Sequence, residues 1–69
     1  MEVDVQRLRE LRRERALSMR ELADMAGIAH NTIYRIEGGH QKEALPRTIR
    51  YLAKALGVEP KVLMKRQET

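Results

Sequence analysis

Apolar residues recur along the chain at helical spacing. Val5, Leu8 and Leu11 form a stripe three residues apart, which predicts a first helix over residues 4–15. Ser18-Met19-Arg20-Glu21 has the form of a capping box, with the serine hydroxyl accepting from the Glu21 amide and the glutamate reaching back. It opens a second helix with Leu22, Ala23, Met25 and Ala26 on its buried side, and Gly27 ends that helix in the left-handed conformation glycine enters without strain. A third helix is predicted over 29–37 and stops at Gly38-Gly39. After a loop over 40–45, Pro46 stands in a first turn, where a missing amide hydrogen does no harm. The fourth helix runs to Leu56, burying Ile49, Leu52, Ala53 and Leu56, and Gly57 caps it. Pro60 starts a short fifth helix containing Val62 and Leu63, and Arg66 to Thr69 are expected to fray. Nothing alternates as a strand would, no segment repeats, and no long linker divides the chain. The expectation is an all-α, compact five-helix fold, one domain over 1–69 with its core at about 4–65.

The second and third helices, joined tightly at Gly27, have the arrangement by which proteins present a helix to the major groove of DNA. At about 100° per residue, Ala29, Ile33 and Ile36 share the buried side of the third helix. Thr32 and Glu37 flank that side, His30 borders it at the N-terminal end, and Asn31, Tyr34 and Arg35 point away. Any surface helix turns polar residues outward, so the identities matter more than the pattern. Asn pairs bidentately with adenine and Arg with guanine, whereas a merely solvated helix more often carries Glu and Lys. Ala23 is small where the two helices must cross, and Leu17 and Ile28 can plug the sides of the crossing. These three would pack the same way whatever the function.

Composition narrows the classes. Sixty-nine residues without a cysteine leave no disulfide or thiolate metal site, so 42% hydrophobic content must supply the core. No apolar run matches a membrane span, and the opening MEVDVQRLRE has no apolar signal region, so a cytoplasmic protein without membrane contact is expected. The net charge of +4 is uneven: residues 38–56 carry Lys42, Arg47, Arg50 and Lys54 against Glu43 alone, directly after the third helix. On charge alone, a solvated basic surface is the stronger reading. Tyr34 and Tyr51 are the only aromatic residues, which favours duplex DNA over RNA or single strands that stack on aromatic platforms.

Catalysis is not expected. Ser18, the only serine, is accounted for as a cap. His30 and His40 stand ten positions apart, without the spacing of a metal pair, and Gly38-Gly39 lacks the Lys-Ser/Thr tail of a phosphate loop. No metal or cofactor is implied.

Several stretches in fixed order carry a resemblance: LRRERALSMRELA, then AGI, then IYRIEGG, then TIRYLAKALGV. Together, over about residues 5 to 64, the chain resembles the lambda-repressor-like helix-turn-helix family of the Cro/C1 or Xre type. The resemblance implies a transcriptional regulator, a repressor by expectation, whose third helix enters the major groove of a double-stranded DNA operator. It assigns base contacts to His30, Asn31 and Arg35. Backbone contacts fall to Met19 and Arg20 at the start of the second helix, to Thr32 and Tyr34, to His40 and Lys42 in the following loop, and to Arg47 and Thr48 at the start of the fourth helix. It also implies an ion pair between Arg12 and Glu37. Two positions depart from the family pattern. Met19 can reach a phosphate only through its amide, and Ala29 stands where a serine or threonine cap, worth about 1 kcal/mol, is common. One such domain reads only about half a turn of duplex, so a homodimer on DNA is expected. Val58, Val62, Leu63 and Met64 are its candidate contact surface. The competing reading is a protein-interaction module, an antitoxin or adaptor that grips a protein partner with the same face.

Overall fold

In the computed structural model, residues 1–65 are described; the expectation for Arg66 to Thr69 lies outside them. Four α-helices form where the capping chemistry allows. α1 (Val5–Glu14) begins at Asp4, whose carboxylate accepts from the Arg7 amide at 3.0 Å. α2 (Met19–Ala26) begins at a complete capping box, Glu21 N to Ser18 Oγ and Ser18 N to Glu21 Oε1, both 3.0 Å. Gly27 closes it at φ 72°, so the chain reverses there at no steric cost. α3 (His30–Glu37) starts at Ala29, which supplies no side-chain cap. α4 (Pro46–Leu56) carries Pro46 in its first turn and ends at Gly57.

The predicted fifth helix is instead a single 3-10 turn, Pro60–Leu63. The N-terminal residues explain why it goes no further. Asp4 N takes the Leu63 carbonyl at 2.8 Å, and Lys65 N donates to Glu2 O at 3.0 Å. Met64 is therefore extended and forms an antiparallel bridge with Val3, so the Leu63 carbonyl is engaged by the arm and the chain leaves helical geometry there. On its other edge the same arm bridges Glu2 to Glu43, with Val3 N donating to Lys42 O at 2.9 Å. Val3 is thus 3% exposed, and the core extends beyond the expected boundary at residue 4.

Packing places α2 against α3 and α4, α1 against α3 and the 3-10 turn, and α4 against that turn. Leu8, Leu22, Ile33, Ile36, Ile49, Leu52, Leu56 and Leu63 are fully buried between them. Met25 departs from its expected place on the buried side of α2: it is 57% exposed. The buried arc of α2 is centred between Leu22 and Ala23, and at about 100° per residue Met25 lies well outside it. Leu63, expected among the dimer contacts, is sealed in the core, whereas Val58, Val62 and Met64 are half-buried against it. No helix among the described residues is long and apolar enough to cross a membrane.

Candidate nucleic-acid interface

α3 buries one side and offers the other. Ile33, Ile36 and Glu37 are buried; Asn31, Tyr34 and Arg35 are exposed, and His30 and Thr32 are intermediate. Glu37 is the one buried charged residue among those described, at 6% exposure. A charge in that position needs partners, and α1 supplies them. Arg12 Nε donates to Glu37 Oε2 at 2.7 Å and a terminal nitrogen to Oε1 at 2.8 Å, a bidentate fork. The other terminal nitrogen takes the Leu17 carbonyl at 2.8 Å, so one guanidinium joins α1, the entry to α2 and the end of α3. These hydrogen bonds to Glu37 hold the Arg12 guanidinium above its ordinary pKa, against the opposing effect of burial. Arg9, which the sequence reading passed over, completes the clamp. Its Nε lies 3.8 Å from Glu37 Oε1, and a terminal nitrogen donates to the Glu37 carbonyl. The missed signal was its spacing, i and i+3 with Arg12, which puts both arginines on one side of α1.

The remaining site residues fall into groups. Met19 and Tyr34 border one shallow depression together with Arg9, Arg12, Arg13, Glu37 and Gly38. Arg9 and Arg12 are paired with Glu37 there, so Arg13 is the cation of this depression that no ion pair engages among the described residues. Met19 is half-buried and Arg20 exposed. The capping box satisfies the Ser18 and Glu21 amides, and neither bond uses the Met19 or Arg20 amide. Hydrogen bonding to Ser18 also holds the Glu21 carboxyl below its ordinary pKa. His30 and Asn31 border a second depression with Ile28 and Ala29. The His30 ring is also tied across the turn: Nε2 lies 2.7 Å from Asp24 Oδ1.

The loop after α3 is fastened back onto α3 itself. His40 N and Gln41 N both donate to the Arg35 carbonyl, at 2.9 and 3.1 Å. Gly38 permits this close return, because a Cβ there would stand 2.8 Å from the Tyr34 carbonyl oxygen and 3.1 Å from the His40 ring. Lys42 is exposed, and its carbonyl accepts from Val3, so its backbone is fixed while its side chain is in solvent. Arg47 is exposed and Thr48 half-buried in the first turn of α4. Among the described residues no ion pair joins Lys42, Arg47, Arg35 or Arg20 to an acid. These cations face water, whereas Arg9 and Arg12 are committed to Glu37.

The two-helix geometry has a counterpart in the comparisons. The helix-turn-helix domain family matches residues 5–68. The chain belongs to this helix-turn-helix family. It is similar to the HTH-type transcriptional repressor RghR of Bacillus subtilis (strain 168), 41% identical over 64 residues, which cover 93% of this chain and 47% of that protein. The chain spans less than half the length of the curated relatives it matches. Among solved structures, this helix-turn-helix fold is similar to the restriction-modification controller protein C.AhdI from Aeromonas hydrophila. That match is 38% identical, covers 87% of this chain and 89% of the other, and has a TM-score of 0.77. It is also similar to SinR, a master regulator for biofilm formation solved in complex with DNA: 28% identity, 84% and 95% coverage, TM-score 0.80.

Proposed function

We propose that the protein is a sequence-specific double-stranded DNA-binding transcriptional regulator, acting as a repressor, with α3 in the major groove. The observation that carries this reading is the division of α3. Its inner side is locked by the Glu37 clamp, while Asn31, Tyr34 and Arg35 remain exposed and unpaired. A rigid helix presenting one amide and one guanidinium suits base-edge recognition, where a bidentate pair contributes about 1–3 kcal/mol of discrimination. The repressor name of RghR, the controller name of C.AhdI and the DNA complex of SinR support the same reading.

In this reading His30, Asn31 and Arg35 meet base edges. Met19 and Arg20 meet phosphate, Met19 through its amide, and Thr32, Tyr34, His40, Lys42, Arg47 and Thr48 add backbone contacts. The residues 1–69 act as one DNA-reading unit, and two copies bind half-sites about one helical turn apart. Val58, Val62 and Met64, but not the sealed Leu63, supply apolar surface for pairing. A DNA ligand puts the work in the cytoplasm, and no reaction or cofactor enters the account.

Selection of bound sequences from a random duplex library tests the reading, followed by footprinting on the enriched sequence. The expected result is an inverted repeat protected on both half-sites, with affinity falling steeply as salt rises. Recovery of no enriched sequence would contradict it, and protection of one short asymmetric site would remove the dimer.

A further inference from the structure

We propose that Asp24 is a specificity-determining positioning residue, which fixes the His30 imidazole so that its Nδ1 edge reads one base pair of each DNA half-site. The inference rests on the DNA-binding reading above. His30 is the first residue of α3, and Asp24 lies on α2, on the other side of the turn at Gly27. Their contact, Nε2 to Oδ1, measures 2.7 Å, the length of a charge-assisted bond. A carboxylate only accepts, so Nε2 carries the hydrogen and donates. That leaves Nδ1 as the ring nitrogen free to meet DNA, as an acceptor in the uncharged ring and a donor in the charged one.

Three observations assign the contact to orientation. The pair is exposed, 35% for the His30 side chain and 65% for Asp24, and exposed pairs add little to stability. α2 is already capped at both ends without Asp24, by Ser18 with Glu21 and by Gly27. The first turn of α3, by contrast, has no side-chain cap of its own, and beyond apolar packing the Asp24–His30 bond is the side-chain hydrogen bond that joins that turn to α2. A carboxylate beside a DNA-facing helix also repels phosphate. Its presence there is reasonable if it stiffens a reading group, since a ring free to rotate would offer either nitrogen to the groove and discriminate less.

The test uses the full chain and the operator enriched by the wild type. Affinity is measured on that operator, on single-base-pair variants of it and on a scrambled duplex, for His30→Ala, Asp24→Ala, the double variant and Asp24→Asn. His30→Ala and Asp24→Ala should each lower the operator-to-scrambled ratio about tenfold, with the loss confined to one base pair per half-site. The double variant should be no worse than His30→Ala, because the two residues act as one unit. Asp24→Asn keeps an oxygen that accepts from Nε2 and should restore most of the discrimination. Unfolding midpoints should not move. The proposal is overturned if Asp24→Ala raises affinity equally on operator and scrambled duplex, or if the two single losses add in the double variant. It is also overturned, with DNA reading intact, if Asn31→Ala lowers the ratio and His30→Ala does not. A wild type that enriches no sequence would instead remove the DNA reading itself.

Discussion

Replacing Arg12 with alanine should destabilise the fold by about 3 kcal/mol. Glu37 is 6% exposed and receives two hydrogen bonds, at 2.7 and 2.8 Å, from that one guanidinium. Removing one partner of a buried pair leaves an uncompensated charge and costs about 3–5 kcal/mol. Arg9 moderates the loss, since its Nε is already 3.8 Å from Glu37 Oε1, so the lower end of the range applies. The Leu17 carbonyl loses its donor as well. A chain of this length has a total stability of about 3–10 kcal/mol, so the change removes a large share of it. Urea unfolding followed by circular dichroism reads it directly. With a slope near 1 kcal/mol/M, the midpoint should fall by roughly 3 M. Arg12→Met combined with Glu37→Leu should cost less than Arg12→Ala, because no charge is left stranded. A loss below about 1 kcal/mol for Arg12→Ala would mean that the pair behaves as an exposed one, and the clamp argument would fail.

Further outcomes follow from the same structure. Leu22→Ala should cost about 2–5 kcal/mol, whereas Met25→Ala, at an exposed position, should stay within about 0.5 kcal/mol; equal losses in thermal unfolding would contradict the packing of α2. Ala16 has φ 54°, which an L-residue adopts at a cost, so Ala16→Gly should stabilise by about 0.5–1 kcal/mol in the same assay. Glu21→Gln should be less stable than the wild type at neutral pH. Because the Glu21 pKa is lowered in the fold, its contribution is present above the ordinary carboxylate range and lost as pH falls through the folded value. The gap in midpoint should therefore narrow as pH falls below the ordinary carboxylate range, and a gap that widens on acidification would refute the assignment.

Much of the fold was legible because its boundaries are local chemistry. Ser18 with Glu21, Gly27, Pro46 and Gly57 each act within a turn of their own position, and the helices begin and end beside them. What escaped was non-local. Val3 has no periodic context, and only the distant backbones of Lys42 and Met64 make it core. The pairing with Met64 also holds the chain extended directly after a single 3-10 turn, where a fifth helix was expected. Met25 misled by its apolar identity, although its angle on the helix set it outside the buried arc. At the site, the facing of Asn31, Tyr34 and Arg35 followed from periodicity alone. The Arg12–Glu37 contact came from family resemblance, and the Asp24–His30 bond, joining residues on separate helices, had no sequence signal.

The claim that α3 reads base pairs is tested most directly by binding isotherms on operator and scrambled duplex at several salt concentrations. Lys42→Ala, assigned to phosphate, should weaken both duplexes alike and reduce the salt slope by roughly one unit. Asn31→Ala and Arg35→Ala should each cost about 1–3 kcal/mol on the operator and little on scrambled DNA. If both instead leave the operator-to-scrambled ratio unchanged, α3 is not the reading element, and a protein-binding role for its exposed face takes precedence.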